Sequence, residues 1–127
     1  MTKSWERDLL YIETMITYLK GSIECYETMV SHGLDIDNKY VLGAVCHQLG
    51  QVGECLSKGK LSKEIQEKYP EIKWSGINGF RNLMIHEYSK VKDRDVIYIL
   101  ENSVPETLKQ LEEVKEYLIQ QITLQEG

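Results

Sequence analysis

The chain of 127 residues has the size of one domain, and its 42% hydrophobic and 28% charged residues are typical of a globular protein rather than a disordered one. With 2 prolines and 9 glycines, it has too few turn-forming residues for a sandwich or barrel of many short strands. A formal net charge of −5 disfavours a general attraction to nucleic acids, so any RNA binding must rest on a local basic site.

The sequence also indicates the cellular compartment of the protein. No apolar run approaches the roughly 20 residues that a membrane-spanning helix needs. Near the start, Glu6, Arg7 and Asp8 interrupt any signal-peptide core. The 3 cysteines are an odd number without a C-x-x-C pair, which favours a reducing compartment. We therefore expect a cytoplasmic protein that has no membrane partner.

Apolar residues recur at helical spacing in the first half of the chain. The first series comprises Leu9, Ile12, Ile16, Leu19, Ile23, Tyr26 and Val30. It predicts a helix from about Ser4 to Val30, ended by His32-Gly33, because glycine suits a left-handed C-cap. A second helix is expected to begin at Asp37 or Asn38, which are good N-cap residues, and to run to about Lys58. Its small residues (Gly43, Ala44, Gly50 and Gly53) predict the close approach of another backbone.

Shorter helices are predicted in the middle of the chain. Ser62 is expected to cap a helix through Lys68, which Pro70 ends. Residues 69–74 form an ordered connector, and a further helix is predicted over about Ser75–Ser89.

The last third of the chain is again periodic, with an apolar series of Ile97, Leu100, Val104, Leu111, Val114 and Leu118. Asp93 or Asp95 is expected to cap this helix. Pro105 falls inside it, and Ser103 and Glu106 have the spacing of a capping box, so we expect a kink or a restart there. The predicted architecture is an all-α, up-and-down helical bundle in one domain over residues 1–127.

One segment, residues 79–88, combines polar side chains suited to chemistry. At about 100° per residue, a helix here directs Phe80, Leu83 and Met84 towards the core. The opposite face then presents Arg81, Asn82, His86 and Tyr88.

This set of side chains suits phosphodiester chemistry. The planar guanidinium of arginine matches phosphate oxygens, and histidine can accept or donate a proton near neutral pH. Arg81 and His86 are five residues apart, so on one helix they diverge by about 140°. Two copies facing each other across a two-fold axis would give a better cleft, which favours a homodimer. From the residues alone, it stays open whether Arg81 and His86 form a functional site or are ordinary polar side chains that face solvent.

Several segments carry a resemblance to a known family. They are Q-V-G-E at 51–54, Y-P-E-I-K-W at 69–74, G-F-R-N at 79–82, H-E-Y at 86–88 and V-P at 104–105. In this order, over about residues 41–111, they resemble the HepT-like HEPN proteins, which are toxins encoded beside a minimal nucleotidyltransferase antitoxin.

The resemblance implies a role for each matching residue. Arg81 would hold the phosphate and His86 would assist attack of a ribose 2′-hydroxyl, as a metal-independent ribonuclease pair with RNA as substrate and DNA excluded. Asn82 would orient the phosphate or the imidazole. Tyr88 would be AMPylated by the minimal nucleotidyltransferase, which silences the toxin in a type VII-like toxin–antitoxin system.

Other assignments stay open or are disfavoured. The alternative function is a non-catalytic subunit that binds a nucleotide or a nucleotidyltransferase, with Tyr88 as acceptor. Glu54 is either an ordinary exposed acid or a partner for an arginine near the cleft. Lys90, Lys92 and Arg94 either contact substrate or are solvated charges. Histidines and cysteines lack metal-ligand spacing, so we expect no metal and no cofactor.

Overall fold

The computed structural model describes residues 4–126, which form six α-helices joined by short connections. The helices are α1 (Trp5–Ser31), α2 (Lys39–Glu54), α3 (Lys63–Lys68), α4 (Trp74–His86), α5 (Asp93–Tyr98) and α6 (Val104–Glu126). Short 3-10 turns cover Ser57–Gly59 and Tyr88–Lys90, and Ile99–Ser103 is π-helical. Because these residues contain no strand, the predicted all-α class is confirmed. None of the described helices has the length and apolar content to cross a bilayer.

The first connection follows the prediction. His32 is the C-cap of α1, and Gly33 has a φ of 83°, the left-handed conformation expected there. Asn38 rather than Asp37 caps α2, since its Oδ1 accepts a hydrogen bond of 2.9 Å from the Tyr40 N–H.

The predicted end of α2 at Lys58 is wrong, because the helix ends at Glu54. The Leu56 N–H turns back to the Gly53 carbonyl, which tightens the chain into a 3-10 pattern. The Ser57 hydroxyl then donates to the Glu54 carbonyl over 2.8 Å. Lys58 adopts a φ of 54°, which no α-helix tolerates, so the chain reverses there.

The end of α4 also differs from the prediction. The helix stops at His86 rather than Ser89, because Glu87 has a non-helical φ of −142°. Tyr88 therefore lies in the following 3-10 turn instead of on the helix.

The C-terminal segment contains one wrong prediction and one that is confirmed. The N-cap of α5 is Lys92, so Asp93 and Asp95 lie within the first turn instead of capping it. The expected distortion before Pro105 is present as the π-helical turn, since proline has no N–H for the Glu101 carbonyl and its ring needs room there. The chain stays helical through Ser103, so no restart with a capping box forms.

The core is built around α1 and α2. Helix α1 packs against α2 on one side and α6 on the other, while α4 packs against α2 from outside. Fully buried side chains of the three long helices fill the centre, among them Ile12, Met15, Val45, Leu111 and Val114. No residue of α4 is fully buried, so this helix presents one side to solvent along its whole length.

Glycine allows α4 to approach α2 closely, as the small residues of α2 predicted. A Cβ atom at Gly53 would lie 2.9 Å from the Ile77 carbonyl oxygen and would also collide with the Arg81 side chain. At Gly50 a Cβ would touch Met84 at 3.4 Å. The backbones can pack at this spacing only because residue 53 has no side chain.

We predict that Gly53→Ala destabilises the protein by about 1–3 kcal/mol, because the added methyl group overpacks the α2–α4 contact. Gly79→Ala is the matched control, since a Cβ there meets nothing within 4 Å and alanine favours a helix by up to about 1 kcal/mol. Urea denaturation followed by circular dichroism measures both. Equal stability of the two variants would contradict the packing role of Gly53.

Candidate functional site

A cavity of about 290 Å³ opens between α2 and the C-terminal part of α4. Helix α2 lines it with His47 and Glu54, α4 with Arg81 and Met84, and the following turn with Tyr88. This cavity therefore joins two of the predicted site residues, Arg81 and Tyr88, to the glutamate that the sequence left unassigned.

Arg81 is held in a defined orientation by two neighbours. Its Nε donates a hydrogen bond of 2.8 Å to Glu54 Oε1, and its Nη1 donates one of 3.2 Å to Asn82 Oδ1. A guanidinium has five N–H donors, so three remain for a ligand. The structure thus places Asn82 as a support for Arg81, which is one way to orient a phosphate.

Glu54 is the centre of a small polar network. Besides Arg81, its carboxylate accepts from the Ser57 hydroxyl over 3.3 Å and lies 4.0 Å from the Lys60 ammonium. The pKa of Glu54 is lowered mainly by the hydrogen bond from Arg81. Partial burial opposes this, and the Arg81 charge, Ser57 and Lys60 add smaller lowering contributions. Of the two interpretations left open, the partner for an arginine is the one that the structure shows.

The predicted sorting of side chains on α4 is partly wrong. Phe80 and Met84 pack against the core as expected and are half-buried. Arg81, however, faces α2 rather than the outward side, because the absence of a side chain at Gly53 lets the arginine stem pack there. A helical wheel cannot show this, since it places residues around an axis without showing where the neighbouring helix lies.

Tyr88 lies outside the helix, with its ring directed towards α2. Its hydroxyl is 3.5 Å from the position that a Cβ of Gly43 would occupy. Burial, followed by the nearby Cys46, raises the pKa of the Tyr88 hydroxyl, so this phenol loses its proton less readily than an exposed tyrosine. A reaction at this oxygen therefore needs a base to remove the proton.

His86 does not join the cavity. It is the last residue of α4, its side chain is exposed, and it is absent from the residues that line the space around Arg81. Within one copy of the described chain, His86 therefore does not line the cavity that contains Arg81.

The basic residues that follow α4 lie among acidic neighbours. Lys90 donates a hydrogen bond of 3.3 Å to Glu87, and Lys92 and Arg94 are exposed next to Asp93 and Asp95. Within residues 4–126, no group of three or more histidine, cysteine or acidic side chains could hold a metal ion.

Sequence reasoning missed Ser57 and Lys60. Ser57 lies beside Glu54 because it follows it by three residues at the helix end, whereas the placement of Lys60 depends on the reversal at Lys58-Gly59, where both φ angles are positive. A Lys-Gly pair after an apolar helical series was the available signal for that turn.

A second cavity, of about 260 Å³, lies between α4 and α6. Apolar side chains such as Leu49, Phe80 and Val104 form much of its wall, with polar groups such as Lys73 and Glu106 also lining it. It contains none of the predicted site residues and is separate from the Arg81 cavity.

Comparison with known proteins places this architecture in a family. Residues 15–114 match the family model described as "Ribonuclease HepT-like". Similar proteins from Methanocaldococcus jannaschii are "Putative RNase MJ1216", 34% identical over 88% of this chain and 85% of that protein, and "Putative RNase MJ0125", 34% identical over 62% and 66%. No solved structure is significantly similar. The chain belongs to the HepT-like ribonuclease family.

The Arg81–Glu54 ion pair gives a pH-dependent prediction. Because its pKa is lowered in the folded protein, Glu54 contributes stability that is present above its ordinary pKa of 4.5 and is lost as the pH falls through the lowered value. The difference in free energy of unfolding between the parent and Glu54→Gln should therefore shrink as the pH is lowered below about 4.5.

Denaturant titrations across pH measure that difference. In an Arg81→Ala background the same Glu54→Gln substitution should have little pH-dependent effect, because the main cause of the shift is gone. A pH-dependent difference that survives in this background would show that Arg81 is not the main partner of Glu54.

Proposed function

We propose that this protein is a metal-independent endoribonuclease in which Arg81 and His86 carry the reaction. The observation that supports this most is the state of Arg81, which Glu54 and Asn82 orient while three of its N–H donors remain available. A charged donor group fixed at the edge of a cavity is suited to stabilise developing negative charge on phosphate oxygens. Membership of the HepT-like ribonuclease family gives this chemistry its context.

In the proposed reaction, the ribose 2′-hydroxyl attacks the adjacent phosphorus while an imidazole of His86 accepts its proton. The bond from phosphorus to the 5′-oxygen breaks, a cyclic 2′,3′-phosphate forms, and the His86 imidazole gives the proton that it accepted to the leaving oxygen. Arg81 binds the non-bridging oxygens as their charge develops. DNA lacks the attacking group and is not a substrate.

The site is proposed to be completed by a second copy of the chain. His86 is exposed and does not line the cavity that contains Arg81, which supports a site to which a second copy contributes. Large apolar side chains at the cavity, Ile85 and Tyr88, are 52% and 43% exposed. Exposed apolar groups beside an incomplete site favour a homodimer in which His86 of one copy acts with Arg81 of the other.

We further propose that the protein is the toxin of a type VII-like system and that a minimal nucleotidyltransferase antitoxin adds AMP to Tyr88. The Tyr88 hydroxyl lines the cavity that contains Arg81. Added phosphates and adenines there would exclude RNA by charge and bulk. Burial raises the pKa of this phenol and makes its deprotonation harder than that of an exposed tyrosine, so the proposed transfer uses a general base from the antitoxin.

The alternative function, a non-catalytic subunit that binds a nucleotide or nucleotidyltransferase, has one observation in its favour. A single copy brings Arg81 and Tyr88 into one cavity without His86. A purified protein that forms a stable complex with the nucleotidyltransferase but cleaves no RNA under any condition would select this alternative.

The purified chain, expressed without its antitoxin, should cleave RNA in the presence of EDTA. Arg81→Ala and His86→Ala should each lower the cleavage rate about 100-fold or more, which is the usual effect of removing a charge-stabilising or acid–base group. Matched controls are Arg94→Ala and His32→Ala, which remove the same side-chain types from exposed positions. Parent-like cleavage by both site variants, with circular dichroism unchanged, would refute the assignment.

Mixing the two inactive variants tests the shared cleft. A mixed dimer of Arg81→Ala and His86→Ala retains one intact pair across the interface, so mixing should restore part of the activity. Sedimentation should show a dimer at micromolar concentration. A monomer, or no recovery on mixing of dimers that exchange subunits, would contradict the composite site.

Co-expression with the antitoxin should increase the intact mass of the protein in steps of one adenylate. Tyr88→Phe should abolish this increase because it removes the acceptor oxygen and keeps the ring. Tyr98→Phe is the control, since Tyr98 is 64% exposed and lies outside the cavity. An unchanged mass increase in Tyr88→Phe would exclude this residue as the acceptor.

A further inference from the structure

The charge of the protein is divided between its two sides. Helices α1 and α6 each carry two basic and five acidic residues, a net charge of −3 apiece. Residues 58–95, which include Arg81, carry nine basic and six acidic residues, a net charge of +3. Most of the net negative charge therefore lies on α1 and α6, whereas the segment that contains Arg81 is net basic.

Two stretches of this segment could extend the contact with RNA beyond Arg81. Residues 87–95 contain Lys90, Lys92 and Arg94, but three acids accompany them, Glu87, Asp93 and Asp95. Lys90 is already hydrogen-bonded to Glu87. The positive charge of this stretch is cancelled locally, which leaves it a poor track for a polyanion.

Residues 55–63 have the opposite character. They contain Lys58, Lys60 and Lys63 and no acidic residue. The positive φ angles of Lys58 and Gly59 reverse the chain after α2 and bring Lys60 back beside Glu54. The turn thus returns a lysine to the arginine site.

Lys60 and Arg81 share one carboxylate. Arg81 Nε contacts Glu54 Oε1 at 2.8 Å, and Lys60 Nζ lies 4.0 Å from Glu54 Oε2. At 4.0 Å the lysine is in ion-pair range but beyond hydrogen-bond distance, so its three N–H donors remain available for an anion. The two cations therefore lie on the two oxygens of one carboxylate, so a strand whose phosphate is bound by Arg81 passes close to Lys60.

Resting on the proposed ribonuclease function, we infer that Lys60 binds the RNA backbone phosphate next to the one held by Arg81. The RNA strand then leaves the cleft along the turn at residues 55–60 and not along residues 87–95. Glu54 spaces the two cations and prevents them from repelling each other before the substrate arrives.

The salt dependence of RNA binding tests this inference. The probe is a short single-stranded oligoribonucleotide with 2′-O-methyl groups, which cannot undergo the attack, followed by fluorescence anisotropy. Lys60→Met should weaken binding and reduce the slope of log K against log salt by about 0.7 for each phosphate that the protein no longer neutralises. Lys60→Arg should restore the parental slope because it restores the charge.

Two controls make the result specific. Lys20 also lies 4.0 Å from a carboxylate, that of Glu112, so Lys20→Met removes an equivalent charge from α1 and should leave the slope unchanged. Lys92→Met should likewise leave it unchanged. A parental slope in Lys60→Met, or an equal reduction in either control, overturns the inference. If the parent cleaves RNA, that result leaves the proposed function standing, whereas a parent that neither binds nor cleaves RNA refutes both.

Discussion

The close approach of α4 to α2 at Gly53 is the constraint on which the site depends. A side chain at this position would collide with the Ile77 carbonyl oxygen and with the stem of Arg81, so the two helices could not keep this spacing. The ion pair, the lowered pKa of Glu54 and the cavity shared with Tyr88 all follow from that one contact. Glycine weakens an isolated helix. At position 53 this local cost is accepted because only glycine leaves room for Arg81 to pack against α2.

The polar contacts of Arg81 hold its guanidinium in a fixed position and leave part of it available to bind a ligand. A half-buried guanidinium without a counter-ion would be destabilising, and Glu54 provides that counter-ion through a single oxygen. The hydrogen bonds of Nε to Glu54 and of Nη1 to Asn82 leave three N–H donors of the arginine for a ligand. An acidic protein can therefore present a cationic site, because its negative charge lies mainly on α1 and α6.

Much of the fold could be predicted from the sequence because helical periodicity and caps are local signals. The spacing of apolar residues predicted α1 within about one residue at each end, and Asn38 and Ser62 were identified as caps. The ends of α2 and α4 were predicted too late. Helix α2 tightens into a 3-10 pattern already after Glu54, ahead of the turn that Gly59 marks, and α4 ends at the non-helical Glu87, a residue type that does not mark a helix end.

The amino-acid sequence by itself determined the helical class, the family and the identity of the residues grouped near position 81, because these rest on residue types and spacing. Only the tertiary structure decided that Arg81 faces α2 and pairs with Glu54, that Tyr88 turns back into the same cavity, and that His86 stays outside it. These relations join residues as far as 45 positions apart in the chain, such as Gly43 and Tyr88, and arise from the packing of one helix on another. The periodicity of apolar residues along the chain does not show which neighbouring helix a given helix face packs against.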